Sequence, residues 1–220
     1  MLLFTPFSAT RYAMHSNKNT HPDRFALDAF GFFPYSIINK IFPKGVFSMK
    51  PLRIGILSTA SIVPRFVGAA GTMTDCKITA LASRNLFRAR EKAALCNIPL
   101  TFGSYEDLIA SDAVDIVYIA TINSEHARYA RLALEAGKHV LCEKPFALRP
   151  SEIRDIFALA REKELFVMEM QKCVFLPVMQ ELKKRIQAGE FGPITMADFS
   201  SSFEASYNGW MYDPTKGGGP

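Results

Sequence analysis

The chain has no C-x-x-C pair, and its four cysteines, Cys76, Cys96, Cys142 and Cys173, are far apart. That argues against a disulfide scaffold and against a structural zinc site. Reduced thiols in a cytoplasmic protein are the corresponding expectation. No apolar run approaches the roughly 20 residues needed to cross a bilayer, so no membrane partner is expected. A basic stripe is also missing. The 220 residues carry a net charge of +5, but residues 1–50 hold six Lys/Arg against Asp23 and Asp28, while the other 170 residues carry 20 basic and 19 acidic groups. A nearly neutral body argues against a nucleic-acid partner.

What is present divides at about residue 50. Residues 1–50 contain eight of the 18 phenylalanines and show no sustained period, as in "FGFFPYSIINKIFPKG". The opening "MLLFTPFSAT" lacks a charged n-region and is interrupted by Pro6, a poor secretory signal. Few acids and scattered bases leave an organelle transit peptide as the minor alternative. Met49 directly precedes a clean strand pattern, so residues 1–48 are read as lying upstream of the true start. The expected organisation is an irregular extension over 1–50, a nucleotide-binding domain over 51–172, and the beginning of a second domain over 173–220.

From Leu52 onward strands and helices alternate. "LRIGILS" (52–58) reads as a strand, followed by a helix with Ser61 as its N-cap and Pro64 in its first turn. "KITALASR" (77–84) is the second strand, and the helix after it ends at Ile98-Pro99. A short strand near "LTFG" precedes a brief helix capped by Ser104. "VDIVYIAT" (114–121) is an almost continuous β-branched run, as in a sheet covered on both faces. The helix after it takes Ser124 as its cap and stops at Gly137. Strand 139–142, helix 151–163 and a strand in "ELFVMEM" complete the series. Repeated βα units predict an α/β fold of the Rossmann type, with a doubly wound parallel sheet. Beyond it, one helix bearing Val178, Leu182 and Ile186 and one strand read as the start of an α+β second domain. The Gly-rich ending "NGWMYDPTKGGGP" makes that second domain look incomplete.

A first strand that turns straight into a helix is where a dinucleotide fold places its pyrophosphate. The usual G-x-G-x-x-G/A is replaced here by "STASIV". Ser58, Thr59, Ala60, Ser61 and Ile62 form the candidate cradle, with Ser58 and Ala60 at the first two glycine positions. Gly55 lies within the strand and cannot substitute for them. At the end of the second strand, where an NAD site carries Asp or Glu, this chain has Ser83 and Arg84. Arg84 is either a solvated surface arginine or a partner for a 2′-phosphate, which favours NADP over NAD. "HVLCEKPFAL" (139–148) is a buried strand that ends in Glu143 and Lys144 and is stopped by Pro145.

"DIVYIATINSEHARYARLALEAGKHVLCEKPFAL" resembles the signature stretch of the glucose–fructose oxidoreductase / inositol dehydrogenase / MocA family. The likeness runs from about Leu52 to Pro220 and includes "ASRN", "YEDLI" and "QELKKRIQAGEFGPI". Its branch is similar to the NADP-linked dihydrodiol and D-xylose dehydrogenases. The resemblance implies hydride transfer between a nicotinamide cofactor and a hydroxyl or carbonyl of a sugar, polyol or diol, in a homo-oligomer. It puts Lys144 at the reacting oxygen, with Glu143 and Pro145 beside it, and Thr121, Asn123 and His126 at the cofactor pocket. A cis bond before Pro145 is expected. Ile122 stands where the family usually has proline, and Val174 where many members have arginine. The family's D-x-G-x-H/Y motif does not appear after "GGGP". A dinucleotide-binding regulator without catalysis is the alternative, favoured by the altered turn and opposed by Glu143-Lys144-Pro145.

Overall fold

A computed structural model describes residues 50–198 and 209–217. The chain divides at Phe42/Pro43. The described residues all fall after that point, so the expectations for the N-terminal extension lie outside them.

Six strands form one sheet: β1 (Leu52–Leu57), β2 (Cys76–Ala82), β3 (Leu100–Phe102), β4 (Ile116–Ile119), β5 (His139–Cys142) and β6 (Val167–Glu169). Their order is β3-β2-β1-β4-β5-β6, and every neighbouring pair is parallel. Among the described residues six α-helices accompany them: α1 (Val63–Ala70), α2 (Leu86–Cys96), α3 (Tyr105–Ala110), α4 (Asn123–Glu135), α5 (Pro150–Glu162) and α6 (Pro177–Gln187). The doubly wound α/β sheet expected from the sequence is therefore present. Its order reverses between β1 and β4, the crevice where open α/β sheets take ligands.

The central strands carry apolar residues on both faces because helices cover both. Leu57, Val117, Ile119, Val140 and Cys142 pack into one core with Leu108, Ala130, Ala133, Leu134 and Ile156. Ile54, Ile56, Leu81, Ile116 and Tyr118 turn to the other, against Val63, Ala89 and Ala93. That alternation is the two-residue period of a strand. Each fully buried Leu or Ile contributes roughly 1.5–3 kcal/mol, so both faces hold the sheet. Gly55 serves this packing. A Cβ there would lie 2.7 Å from both Leu108 Cδ2 and Val114 Cγ1.

Two helix starts differ from the sequence reading. α1 begins at Val63 with Ile62 at the cap position and no side-chain cap, so Ser61 lies outside the helix. α4 begins at Asn123 after Ile122, again without a side-chain cap. Ser124 is inside its first turn, and its backbone N–H donates to the carbonyl of Lys216 at 3.0 Å. A distant main-chain segment therefore takes the place of the expected serine cap. Ser104 does cap α3, accepting from Asp107 N at 3.1 Å, and Gly137, at φ 74°, follows α4 as expected. Residues 193–198 contain no strand, and the rest of that expected strand lies outside the described residues. Among the described residues no helix is long and apolar enough to cross a membrane, and no group of three His, Cys, Asp or Glu is placed to hold a metal.

Candidate active site

The sheet register sets the carboxyl ends of four strands side by side. Leu57 pairs with Ala82 and Ile119, and Ile119 pairs with Cys142. The residues that follow them, Ser58, Ser83, Ala120–Thr121 and Glu143–Lys144, consequently share one edge. The fold alone brings together residues up to 86 positions apart in sequence, from Ser58 to Lys144.

At the end of β1, Ser58 has φ 111°, a conformation that glycine adopts without cost and other residues rarely take. Its hydroxyl accepts from Ala60 N at 3.0 Å, and its own N–H donates to Ala82 O at 2.9 Å. The turn Ser58–Ile62 thus reaches α1 by a glycine-like backbone path, steadied by a side-chain hydroxyl. Next to it Ser83 is buried, its Oγ accepting from Asn85 N at 3.3 Å, while Arg84 is exposed. Burial raises the pKa of the Tyr105 hydroxyl, and Arg84 and Ser58 beside it pull it back down. Tyr105 therefore lies near both the β1 turn and the β2 end, a placement that its position in "SYEDLI" did not reveal.

The β5 end is tied down from three directions. The Tyr118 hydroxyl, on β4, donates to Glu143 Oε1 at 2.7 Å. Phe146 N donates to Glu169 Oε1, on β6, at 2.8 Å. His126, on α4 and 1% exposed, sets Nδ1 at 2.9 Å from Pro145 O and Nε2 at 3.1 Å from Thr121 O. Both ring nitrogens are spent on main-chain carbonyls, and a neutral ring donates to one of them. The Lys144-Pro145 peptide is cis, as expected. Lys144 itself is exposed.

Thr121 lies in the β4–α4 connection and Asn123 opens α4. Asn123 Nδ2 donates to Gly217 O at 2.9 Å, which with the Ser124–Lys216 bond docks segment 209–217 on the start of α4. That segment is folded on itself. Asp213 pairs with Lys216 at 2.6 Å and accepts from Thr215 N at 2.9 Å. Lys216 and then Thr215 draw the Asp213 carboxyl down to about 2.

At the opposite, amino-terminal edge a polar cavity of about 530 Å³ is lined by Arg53, Asp112, Asp115, Lys138 and His139. Its cations are already engaged. Arg53 pairs with Asp115 at 2.6 Å, and Lys138 Nζ donates to the carbonyls of Ser111 and Val114 at 2.9 and 3.0 Å. The sequence-derived candidates collect at the carboxyl edge instead. Tyr105, Tyr118 and Glu169 join them there unannounced, because only strand register shows where a core tyrosine's hydroxyl ends.

Residues 52–171 match the oxidoreductase family with an NAD-binding Rossmann fold, GFO_IDH_MocA. The chain is 35% identical over 170 residues to the trans-1,2-dihydrobenzene-1,2-diol dehydrogenase of Mus musculus, covering 76% of this chain and 51% of that enzyme. It is 37% identical over 161 residues to the scyllo-inositol 2-dehydrogenase (NADP(+)) IolU of Bacillus subtilis, covering 72% and 49%. The chain thus spans about half the length of these curated relatives. Among solved structures, KijD10, a 3-ketoreductase from Actinomadura kijaniata in complex with NADP and TDP-benzene, superposes with a TM-score of 0.60 at 31% identity. That match covers 64% of this chain and 43% of KijD10.

Proposed function

The chain belongs to the GFO_IDH_MocA oxidoreductase family with an NAD-binding Rossmann fold, and from that premise we propose that it forms the cofactor-binding part of an NADP-dependent oxidoreductase acting on a hydroxyl or carbonyl of a sugar, polyol or diol. Residues 51–172 are the dinucleotide domain in this reading. Residues 173–220 begin the domain that covers the substrate and forms the homo-oligomer. The relatives named for NADP support the choice of cofactor. The four free cysteines suit reducing, cytoplasmic surroundings.

One observation carries the proposal: the Glu143-Lys144-Pro145 turn is fastened at the end of β5, on the same sheet edge as the phosphate-type turn at the end of β1, with the β4 end between them. The donors there fit a dinucleotide. The glycine-like φ of Ser58 turns the main chain ahead of the α1 N-terminus, where backbone N–H groups favour an anion. Thr59, Ser61 and Ile62 complete that cradle. Ser83 and Arg84 have no carboxylate between them, so a 2′-phosphate meets a hydroxyl and a guanidinium fork rather than a like charge. Thr121 and Asn123 flank the nicotinamide end.

When bound, the nicotinamide supplies the hydride acceptor or donor. Lys144 meets the reacting oxygen. Its ammonium donates a hydrogen bond to an alkoxide as negative charge grows there, and holds the proton that a carbonyl takes up in the reverse direction. Glu143 lines the pocket next to it. His126, Glu169 and the Pro145 carbonyl hold the turn so that the Lys144 ammonium is aimed by its backbone rather than by a side-chain partner.

The experiment is a fluorescence titration of the chain with NADPH and NADH. An exposed arginine contacting phosphate is worth roughly 1.5 kcal/mol or more, about tenfold in affinity. NADPH is expected to bind at least that much tighter, with Arg84→Ala removing the difference. Equal affinities for the two cofactors would overturn the NADP assignment.

A further inference from the structure

Tyr118 is an unusual occupant of its site. It sits in the middle of β4, fully buried, between aliphatic neighbours Val117 and Ile119. A phenol placed there costs free energy unless its hydroxyl finds an acceptor. The acceptor it finds is the side chain of Glu143, at 2.7 Å, in the residue next to Lys144. Register explains the reach. Tyr118 pairs with Leu141 across the β4–β5 ladder, and Glu143, two residues further on, projects from the same face.

The ring is fixed as firmly as the hydroxyl. Phe66 of α1 stacks on it with centroids 3.8 Å apart and planes 16° from parallel. Burial first, and Glu143 second, push the phenol's pKa far up, so it remains a donor. One carboxylate oxygen of Glu143, Oε1, is thereby engaged from inside the sheet, while the residue as a whole is half-buried at the edge. Oε2 is left for a ligand.

We propose that Tyr118 is a positioning residue: stacked on Phe66 of the helix that follows the Ser58–Ile62 turn, it clamps Glu143 Oε1 so that Oε2 faces a ribose hydroxyl at the nicotinamide end of the bound dinucleotide. This rests on the cofactor reading given above. A carboxylate held at one oxygen accepts from a sugar hydroxyl without first losing rotamer freedom, and that pre-organisation is where the affinity comes from. The same contacts join the helix behind the pyrophosphate turn to the turn that carries Lys144.

The test is a double-mutant cycle on NADPH affinity, measured by fluorescence titration of the chain with Tyr118→Phe, Glu143→Ala and the double variant. Tyr118→Phe keeps the ring and its stack on Phe66 and removes only the hydroxyl. It is expected to weaken NADPH binding about tenfold in the parent background, the lower end of the range for a hydrogen bond to a charged group. In the Glu143→Ala background it is expected to change affinity by less than about twofold, because the residue through which it acts is gone. A purely structural tyrosine would lower affinity equally in both backgrounds, and that additivity overturns the proposal. Unchanged affinity in Tyr118→Phe overturns it as well while leaving the cofactor reading intact. If the parent chain binds no NADPH, the cofactor reading itself fails and this inference with it.

Discussion

Replacing His126 by alanine separates two roles that its sequence position leaves open, a cofactor contact and an internal fastening. The structure favours the second. The ring is 1% exposed and lies between Pro145 O at 2.9 Å and Thr121 O at 3.1 Å, joining the two connections that carry Thr121 and Lys144. Alanine removes one donated hydrogen bond, about 1 kcal/mol net. It also leaves two inward-facing carbonyls and a hole where a ring was packed, worth roughly 2 kcal/mol more. The sum, about 3 kcal/mol, corresponds to a fall in Tm of roughly 6–12 °C for a domain of this size. Thermal unfolding of the chain without cofactor, followed by circular dichroism, measures it directly. His126→Asn, which restores a donor to one carbonyl, should recover part of the loss. If His126→Ala melts within about 2 °C of the parent, a loss of no more than about 1 kcal/mol, the fastening role is refuted.

Gly55→Ala should destabilise the fold by about 1–3 kcal/mol, because the new Cβ meets Leu108 and Val114 at 2.7 Å; a urea midpoint equal to that of the parent would show that α3 shifts freely. His139 gives a pH dependence. Burial lowers its pKa from the ordinary 6.5, with Asp115 opposing, and its Nδ1 accepts from Phe166 N at 3.0 Å, which only the unprotonated nitrogen can do. The unfolded chain therefore binds the proton more readily, so stability falls as pH drops below about 6.5 and is retained above it. The urea midpoint should decline between pH 7 and 5.5 in the parent and less steeply in His139→Gln; parallel slopes would contradict this.

Much of the sheet was legible from short apolar runs and turn residues. The strand 139–142 and the break after Ile98 follow from apolar runs and proline alone. The helix starts at Val63 and Asn123 were not, because neither has a side-chain cap. The start of α4 is instead met by carbonyls of residues 216 and 217, over 90 positions away. Local sequence carries no mark of a cap supplied by a remote main chain. Lys144 stood out because a charged pair followed by proline interrupts an apolar run. Tyr118 and Glu169 did not, since each looks like an ordinary strand residue until the β4–β5–β6 register sets it against the Lys144 turn. Gly55 could be excluded from the phosphate turn by position, but its packing role required Leu108 and Val114 in place.

In the proposed function the dinucleotide lies across the carboxyl edge of the sheet, from the Ser58–Ile62 turn to Lys144. Amide hydrogen exchange of the chain with and without NADPH tests it most directly. Bound NADPH should slow exchange in residues 58–63, 119–123 and 143–147, with Arg53, Lys138 and His139 at the amino edge unchanged. Protection confined to that amino-edge cavity, or none at the three carboxyl-edge turns, would contradict it.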